Sequence, residues 1–365
     1  MNLVSGNIVE DKFAFSSSVS GDVWHPRKDE KAYEWWYFDA LSDDGSEAIT
    51  LAFLDNSVYS PRYNHAGPVK SDNSIVDGIR FPAVAFTYFR DGKQRYRTML
   101  EFPESAFHAS DSEPFVSIGE NSMTFRTASY GAGYHIQLDA ALSGGRRLRA
   151  NFEWLAIESD HTPEATCFET NAHCWNMVAP RCDVTGKIGV YGRKNREIDI
   201  FQFRGTGYHD HKLDNRWLAK TVRDWHWGRA HFADATAVFY RFREINDDRA
   251  STRLLIVKDA ELSQRKVEFE EQNYVRNKLG IRYPTRLRLI SEDGVRLTAR
   301  PLKVIDSTFF HLRFLSEMTL TFDGSPPSTS LGITEFLMPR GLTRRWLTWL
   351  GDMRTGRNGR GPWLR

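Results

Sequence analysis

The sequence predicts an all-β protein made of two antiparallel β units packed together. Three observations lead to this fold class. Aromatic residues make up 13% of the 365-residue chain and concentrate in short segments with period-two patterning, which is typical of pleated sheet. Turn residues, including Asp91-Gly92 and Asp293-Gly294, separate these segments. Long helical periodicity is nearly absent, which argues against a parallel sheet with crossover helices.

The predicted strands follow one another along the whole chain. In the first half they cover residues 33–40, 48–54, 83–89, 97–102, 122–128, 135–140 and 148–155. In the second half they cover residues 183–191, 198–203, 224–231, 237–243, 253–258, 286–290 and 295–302. A helical pattern is visible only near 215–223 and at the C-terminus. We therefore divide the chain into an N-terminal extension (1–28), an N-terminal β domain (29–200), a C-terminal β domain (201–338) and a basic tail (339–365).

The tail predicts a short amphipathic helix. On one helical face, residues 339–353 place five apolar side chains: Leu342, Trp346, Trp349, Leu350 and Met353. Seven arginines follow Met338 against a single Asp352, and such a basic helix can lie on an anionic membrane surface. The alternative is a helix docked on its own barrel with a solvated polar face.

The amino-acid composition limits the kinds of molecule that the protein is expected to bind. Lys and Arg number 49 against 47 Asp and Glu, so no global field attracts nucleic acid, and we expect no nucleic-acid partner. Three cysteines without a CxxC pair indicate reduced thiols. The N-terminus lacks a signal-peptide pattern and no run reaches the length of a membrane span, which predicts a cytoplasmic protein. The oligomeric state is not encoded in any of these features.

The segment from Gly205 to Asn215 has the highest density of side chains that can transfer protons or bind a metal. It contains Tyr208, His209, Asp210 and His211 in consecutive positions. If the segment is extended, Tyr208 and Asp210 share one face and the two histidines share the other. The two faces support two different functional hypotheses.

The first hypothesis is acid catalysis. An aspartic acid in an apolar, aromatic-lined cavity is expected to have a raised pKa, so that Asp210, supported by Tyr208, can protonate a carbon–carbon double bond. His173 and Trp175 form a second pair on one strand face, where the imidazole positions or deprotonates water. Aromatic rings stabilise the carbocation. The aromatic residues predicted to line the substrate pocket include Trp225, Trp227, Trp36 and Tyr37. The neighbouring Glu34 is predicted to contact the substrate with them.

The second hypothesis is a metal site at His209 and His211, with His226 or His231 as a third ligand. An HxH pattern alone is weak, and the chain lacks the GxSxG, GxxxxGK[ST], HExxH and GxGxxG motifs. Nor does it contain the Asp-Asp-x-x-Asp cluster of a magnesium–diphosphate site. We therefore favour a site without metal and a reaction without cofactor.

Taken together, Glu34-Trp-Trp-Tyr37, His173-x-Trp175, Gly205-x-Gly-Tyr208-x-Asp210 and Trp225-x-Trp227-Gly-Arg229 resemble the carotenoid 1,2-hydratase (hydroxyneurosporene synthase) family. Its relatives include AttH-like proteins, kievitone hydratase-like proteins and lipocalin-like Diels–Alderases. The resemblance runs from about residue 25 to the C-terminus. In place of the Asn-x-Gly turn that follows Tyr-x-Asp in many relatives, this chain has residues 212–215, and residues 192–197 resemble an extension.

The resemblance implies two lipocalin-like β domains around an apolar pocket, and cofactor-independent hydration of an isoprenoid or carotenoid-like double bond. It places the catalytic role on His173, Trp175, Tyr208 and Asp210. Two alternatives stay open: a terpene cyclase or pericyclase in which Asp210 only orients a polyene, and a carrier that binds a hydrophobic ligand without chemistry.

Overall fold

The computed structural model describes residues 13–26, 29, 31–65, 80–162, 173–348 and 354–355, and within this part of the chain the protein is almost entirely β-sheet. Of the described strands, thirteen form a first curled sheet. These are β1 (Phe13–Ser16), β2 (Tyr33–Ser42), β3 (Glu47–Leu54), β4 (Ala83–Arg90), β5 (Lys93–Glu101), β6 (Phe107–Ala109), β7 (Phe115–Ile118), β8 (Asn121–Ala128), β9 (Gly131–Ala141), β10 (Arg147–Glu158), β11 (His173–Tyr191), β12 (Glu197–Asp214) and β22 (Arg354–Thr355).

Nine strands form the second curled sheet. They are β13 (Val222–His231), β14 (Thr236–Glu244), β15 (Ala250–Lys258), β16 (Glu261–Arg265), β17 (Val267–Arg276), β18 (Arg282–Ser291), β19 (Arg296–Ser307), β20 (His311–Thr321) and β21 (Ser328–Leu337). Helices in the described residues are short and include α1 (Pro61–His65), α2 (Leu218–Thr221), α3 (Arg345–Thr348) and the 3₁₀ helices Glu104–Ala106 and Pro339–Thr343. The predicted all-β class with two lipocalin-like units is confirmed.

The core strands of the first sheet are buried on both faces. β2 pairs with β3 and β12, and nine of its ten residues are buried. Its even-numbered residues, among them Trp36 and Phe38, pack inside the first sheet, whereas its odd-numbered residues, among them Trp35 and Tyr37, pack against the second sheet. A strand that is covered on both faces has apolar residues at successive positions rather than at alternate ones, which explains the many aromatic residues in this segment.

The boundary between the two sheets lies later than the predicted division at residues 200 and 201. That division falls inside β12, which pairs with β11 from Cys174–Leu213 to Tyr191–Glu197. The change of sheet occurs between Asp214 and Val222, where α2 lies. Residues 192–196 form the hairpin turn of this long pair, with Lys194 and Asn195 at φ 57°. In sequence, a charged turn resembles a linker between domains. In the structure, the hydrogen-bonded pairing of β11 with β12 continues up to this turn.

Residues 13–26, which fall within the predicted N-terminal extension, pack as part of the fold. β1 pairs in parallel with β11 and places Phe13 in the core between the two sheets. Further along, Asp22 is completely buried beside His209. The predicted boundary at residue 28 therefore separates residues that pack together.

The C-terminal segment contains short helical turns in its described part. Leu342 is 1% exposed and packs in the core, while Trp346 is 68% exposed, so these two side chains do not share one buried face. Trp349, Leu350 and Met353 lie outside the described residues. In the part of the chain that the structure covers, no helix is long and apolar enough to cross a membrane. Contact of the tail with a membrane surface stays a prediction.

The cysteines differ from the expectation of reduced thiols. Cys174 is disulfide-bonded, whereas Cys182 is free and buried. An odd number of cysteines is compatible with one pair and one thiol, and spacing along the sequence does not show which thiols meet in the fold.

Candidate active site between the two sheets

The acidic and aromatic side chains singled out in the sequence meet where the two sheets face each other. β12 lies between β2 and β11, so that Asp210 is opposite Tyr37, and Lys212 is opposite both Trp35 and Trp175. The facing strands of the second sheet are β13 and β14. Asp210, Tyr208, His173 and Trp175 are all completely buried.

Glycines let the strands approach closely just before the acid. A Cβ atom at Gly205 would collide with the backbone carbonyl of Leu41 on β2, and one at Gly207 would contact Trp154 at 2.6 Å. A backbone neighbour cannot move aside as a flexible side chain can. The Gly-x-Gly pattern therefore reflects close packing of β12 between its neighbours, and it sets the position of Tyr208 and Asp210.

Asp210 is held asymmetrically. Its Oδ2 atom accepts hydrogen bonds from Trp175 Nε1 at 3.0 Å, Tyr208 Oη at 2.8 Å and Lys212 Nζ at 2.6 Å. Its Oδ1 atom is buried and has no hydrogen-bond partner among the described residues. One oxygen is thus fixed by three donors, while the other is available to a bound molecule. A buried polar atom without a partner is uncommon and marks a site for a ligand group or water.

Lys212 lies in an aromatic box. Its ammonium is 5.7 Å from the ring centroid of Tyr37, 5.5 Å from that of Trp227 and 5.6 Å from that of Tyr240. The π faces of three rings and the carboxylate of Asp210 together favour positive charge at this point. The environment of Asp210 is therefore not purely apolar, because a buried ion pair is part of it.

Lys212 and Tyr240 were not identified from the sequence. Lys212 continues the period-two series of Tyr208 and Asp210, so that the same face argument could have found it. Tyr240 lies on a strand that was predicted correctly, but its position beside Lys212 and His173 depends on how the two sheets pack. No local pattern in the sequence reports that packing.

His173 connects the first sheet to Tyr240. Its Nε2 atom is 3.0 Å from Tyr240 Oη, and its Nδ1 atom is 3.3 Å from Tyr33 Oη and 3.6 Å from Asp214 Oδ2. The imidazole stacks on Phe242 with centroids 4.7 Å apart and planes 9° apart. His173 is therefore held in one orientation, and it reaches the box of Lys212 through the Tyr240 hydroxyl rather than by direct contact with Asp210.

Burial sets the protonation of these groups. Loss of solvation lowers the pKa of His173, although the nearby Asp214 carboxylate opposes this effect, so that the ring is neutral at neutral pH. Burial alone would raise the pKa of Asp214, but hydrogen bonds with His173 and Arg216 lower it. Burial raises the pKa of Tyr208 and of Tyr240 well above the usual value, so both phenols stay protonated.

Three of the five predicted substrate-contacting residues belong to this site. Trp227 packs against Tyr208 and Tyr37 with centroids 5.1 and 5.7 Å away, and Trp225 lies 6.0 Å from Tyr240. Among described residues, the indole nitrogen of Trp225 is buried without a hydrogen-bond partner. The period-two prediction that Trp225 and Trp227 share a face is consistent with these contacts.

Glu34 and Trp36 lie on the opposite face, inside the first sheet, and the structure does not bring them to Asp210. Glu34 Oε1 is 2.8 Å from His211 Nε2, and Trp36 stacks on the His211 ring at 4.7 Å. Alternate residues of β2 point to opposite sides, so these two separate from Tyr37. Burial would lower the pKa of His211, but hydrogen bonds with Asp22 and Glu34 raise it to about 9.

The histidines proposed from sequence as one metal set do not converge. His209 bonds the Tyr37 carbonyl and Asp22, each at 2.9 Å. His226 pairs with Glu271 at 2.9 Å, and His231 lies 2.9 Å from the Pro180 carbonyl oxygen. Among the described residues, His211 is the one member of this set that belongs to a group of three or more potential metal-binding side chains whose ligand atoms all lie within 4.8 Å of one another.

A small cavity lies next to the site. It has a volume of about 30 Å³ and is bordered by Tyr37, Tyr59, Arg97, Asp306 and Arg313, among other residues. This volume is on the order of that of one water molecule. Two larger cavities, of about 420 and 610 Å³, are lined by residues of the first and second sheets respectively and do not include Asp210.

Two curled antiparallel sheets that enclose an acid and aromatic rings at their contact define a protein of the lipocalin-like, two-unit class. The sequence model of the carotenoid hydratase CrtC family matches residues 50–360, and the chain belongs to this family. The resemblance inferred from the motifs is thereby confirmed.

Proteins similar to this chain include two relatives in sequence and one solved structure that is similar in fold. A hydroxyneurosporene dehydrogenase of Chlorobaculum tepidum is 24% identical over 358 residues, covering 93% of this chain and 91% of the relative. An acyclic carotenoid 1,2-hydratase of Rubrivivax gelatinosus is 30% identical over 226 residues, covering 59% and 49% respectively. The crystal structure of CghA with Sch210972 is similar in fold, with a TM-score of 0.59, 15% identity and coverage of 85% of this chain and 89% of CghA.

Proposed function

We propose that this protein adds water to a terminal carbon–carbon double bond of an acyclic carotenoid-like isoprenoid, without a cofactor. The family and the name of the Rubrivivax gelatinosus relative support hydration as the reaction class. One observation carries the mechanism: Oδ1 of Asp210 is buried and unpartnered among the described residues, while three donors hold Oδ2.

At rest the Asp210 carboxylate is paired with Lys212, so in the first step it takes up one proton from solvent at Oδ1 as the apolar substrate enters, and then transfers this proton to one carbon of the double bond. The π electron pair forms the new C–H bond, and the adjacent carbon becomes a cation. The carboxylate that remains is stabilised at Oδ2 by Trp175, Tyr208 and Lys212, which strengthens the acid in the transition state. Trp175 therefore acts mainly through its N–H group on Asp210.

The aromatic box stabilises the cation that forms next to Asp210. The rings of Tyr37, Trp227 and Tyr240 surround the ammonium of Lys212 at 5.5 to 5.7 Å, and this contact with positive charge supports the proposal. Lys212 and the new carboxylate of Asp210 form a neutral pair in this state. The cation is then attracted by the rings without strong repulsion from the ammonium.

In the second step, water attacks the cation to give a protonated alcohol (C–OH₂⁺), which loses one proton to become the alcohol. His173, neutral because burial lowers its pKa, accepts this proton through the Tyr240 hydroxyl to which its Nε2 atom is bonded. The small cavity beside Tyr37 is large enough for the incoming water. Since the four central groups are buried, substrate entry requires neighbouring groups to move aside.

The reaction can be tested with an acyclic carotenoid in detergent micelles and heavy-oxygen water. Hydration gives a product that has gained one water and carries solvent oxygen. An isomer without solvent oxygen would indicate cyclisation or isomerisation, loss of two hydrogens would indicate dehydrogenation, and unchanged ligand would indicate a carrier. Each of these three outcomes overturns the proposal.

Variants then test the acid. Asp210→Asn should abolish turnover, because an amide cannot deliver the proton. Asp224→Asn is the matched control, since Asp224 is also buried and ion-paired, with Arg243 Nη2 at 2.6 Å, but lies outside the site. An active Asp210→Asn enzyme would contradict the role of Asp210.

A further inference from the structure

A second cluster of side chains lies behind the active site, on the opposite face of β12. Among the described residues, His25, Glu34 and His211 offer ligand atoms that all lie within 4.8 Å of one another. Glu34 Oε1 is 2.9 Å from His25 Nδ1 and 2.8 Å from His211 Nε2. Ligand atoms of a tetrahedral zinc ion are about 3.4 Å apart, so small side-chain shifts would accommodate the ion.

The groups behind these side chains have the arrangement found around metal ligands. Asp22 Oδ1 lies 3.2 Å from Nδ1 of His211, which directs the other ring nitrogen, Nε2, toward Glu34. Metal-binding histidines are commonly oriented by a carboxylate on the second nitrogen in this way. Trp36 stacks on the same ring with centroids 4.7 Å apart. The orientation of His211 is therefore fixed before any ion binds.

The cluster is also accessible from one side. The His25 side chain is 21% exposed, whereas those of Glu34 and His211 are fully buried. An ion can reach the site past His25, and a water molecule can fill a fourth coordination position there. Two imidazoles and one carboxylate with an open position suit zinc and related transition metals better than calcium or magnesium.

We propose that His25, Glu34 and His211 form a binding site for one divalent transition metal ion such as Zn²⁺. The ion would join the segment before β2 to β2 and β12. That segment follows β1, whose Phe13 packs against Tyr240 with centroids 5.1 Å apart. Metal binding would thereby stabilise one wall of the active site, while taking no part in the chemistry at Asp210.

The test is a titration of the purified, tag-free full-length chain with Zn²⁺ after treatment with a chelator. Calorimetry or competition with a chromophoric chelator should show one ion per chain. His25→Ala should weaken the affinity at least about 100-fold, because it removes a ligand at the accessible side of the site. Asp22→Asn should weaken it roughly 10- to 100-fold, since this carboxylate orients His211 and is not one of the three proposed ligands.

The matched control is His135→Ala, which removes a partly buried histidine of β9 and should leave Zn²⁺ affinity unchanged. Circular dichroism without metal shows whether each variant is folded. Absence of stoichiometric binding to the wild type, or equal affinity of the wild type and folded His25→Ala, overturns the proposal. If His25→Ala is unfolded, Glu34→Gln provides the same comparison. The readout is metal affinity rather than turnover, so the proposal does not depend on hydratase activity.

Discussion

The buried ion pair of Asp210 and Lys212 gives a quantitative prediction for a double-mutant cycle. The side chains are 0% and 4% exposed, and Nζ lies 2.6 Å from Oδ2. Asp210→Asn leaves the ammonium in the aromatic box without a counter-charge. Lys212→Met leaves the carboxylate with only Trp175 and Tyr208. Removal of one partner of a buried pair costs about 3–5 kcal/mol of stability, so each single variant should lose about this amount.

The double variant Asp210→Asn/Lys212→Met should be much more stable than the sum of the single effects predicts. Both charges are absent, the Asn carbonyl oxygen can still accept hydrogen bonds from Trp175 and Tyr208, and Met fills the volume of the lysine stem. Replacement of a buried pair by uncharged groups is often close to neutral. We therefore expect a coupling free energy of at least about 2 kcal/mol.

Urea denaturation followed by far-ultraviolet circular dichroism measures these free energies of unfolding. Additive single effects, within about 0.5 kcal/mol, would refute the reasoning that the two charges depend on each other. Turnover separates stability from chemistry. The stable double variant should remain inactive, while Lys212→Met should retain a rate about 100-fold below wild type, because one donor to the carboxylate is lost.

Two further predictions concern pH. Because burial lowers the pKa of His173 below 6.5, kcat should be constant near neutral pH and fall only in more acidic solution. The variant His173→Gln should be slower and should lack this decrease at acidic pH. A pH–rate profile of His173→Gln that matches the wild type would contradict the role of His173. Burial would raise the pKa of Glu271, but His226 and Arg241 lower it from 4.5 to about 2, so this carboxylate contributes stability above pH 4.5 that is lost as the pH falls toward 2. Glu271→Gln should therefore be about 2 kcal/mol less stable at neutral pH and equal to wild type near pH 2, and parallel stability curves over this range would exclude the effect.

Much of the site could be predicted because a strand has a period of two. Tyr208 and Asp210 share one face of β12, His209 and His211 share the other, and this division depends only on the extended backbone. The same rule, applied to β2, separates Glu34 from Tyr37 and would have removed Glu34 from the predicted site.

Partners across the sheets could not be predicted in this way. Tyr240 reaches His173 and Lys212 only because β14 of the second sheet faces β11 and β12 of the first. Likewise, His25 meets His211 because the N-terminal segment folds back on the first sheet. Such contacts join residues far apart in the chain, and no local pattern specifies their register.

The sequence by itself determined the all-β class and the division of the strands into two faces, with Tyr208 and Asp210 on one face of β12, because these depend on local backbone geometry. Only the tertiary structure decided that Lys212 is the counter-ion of Asp210 in an aromatic box, that Glu34 lies with two histidines on the other face, and that β12 belongs wholly to the first sheet. These features depend on packing between distant strands, where the burial of charge and aromatic surface selects one arrangement.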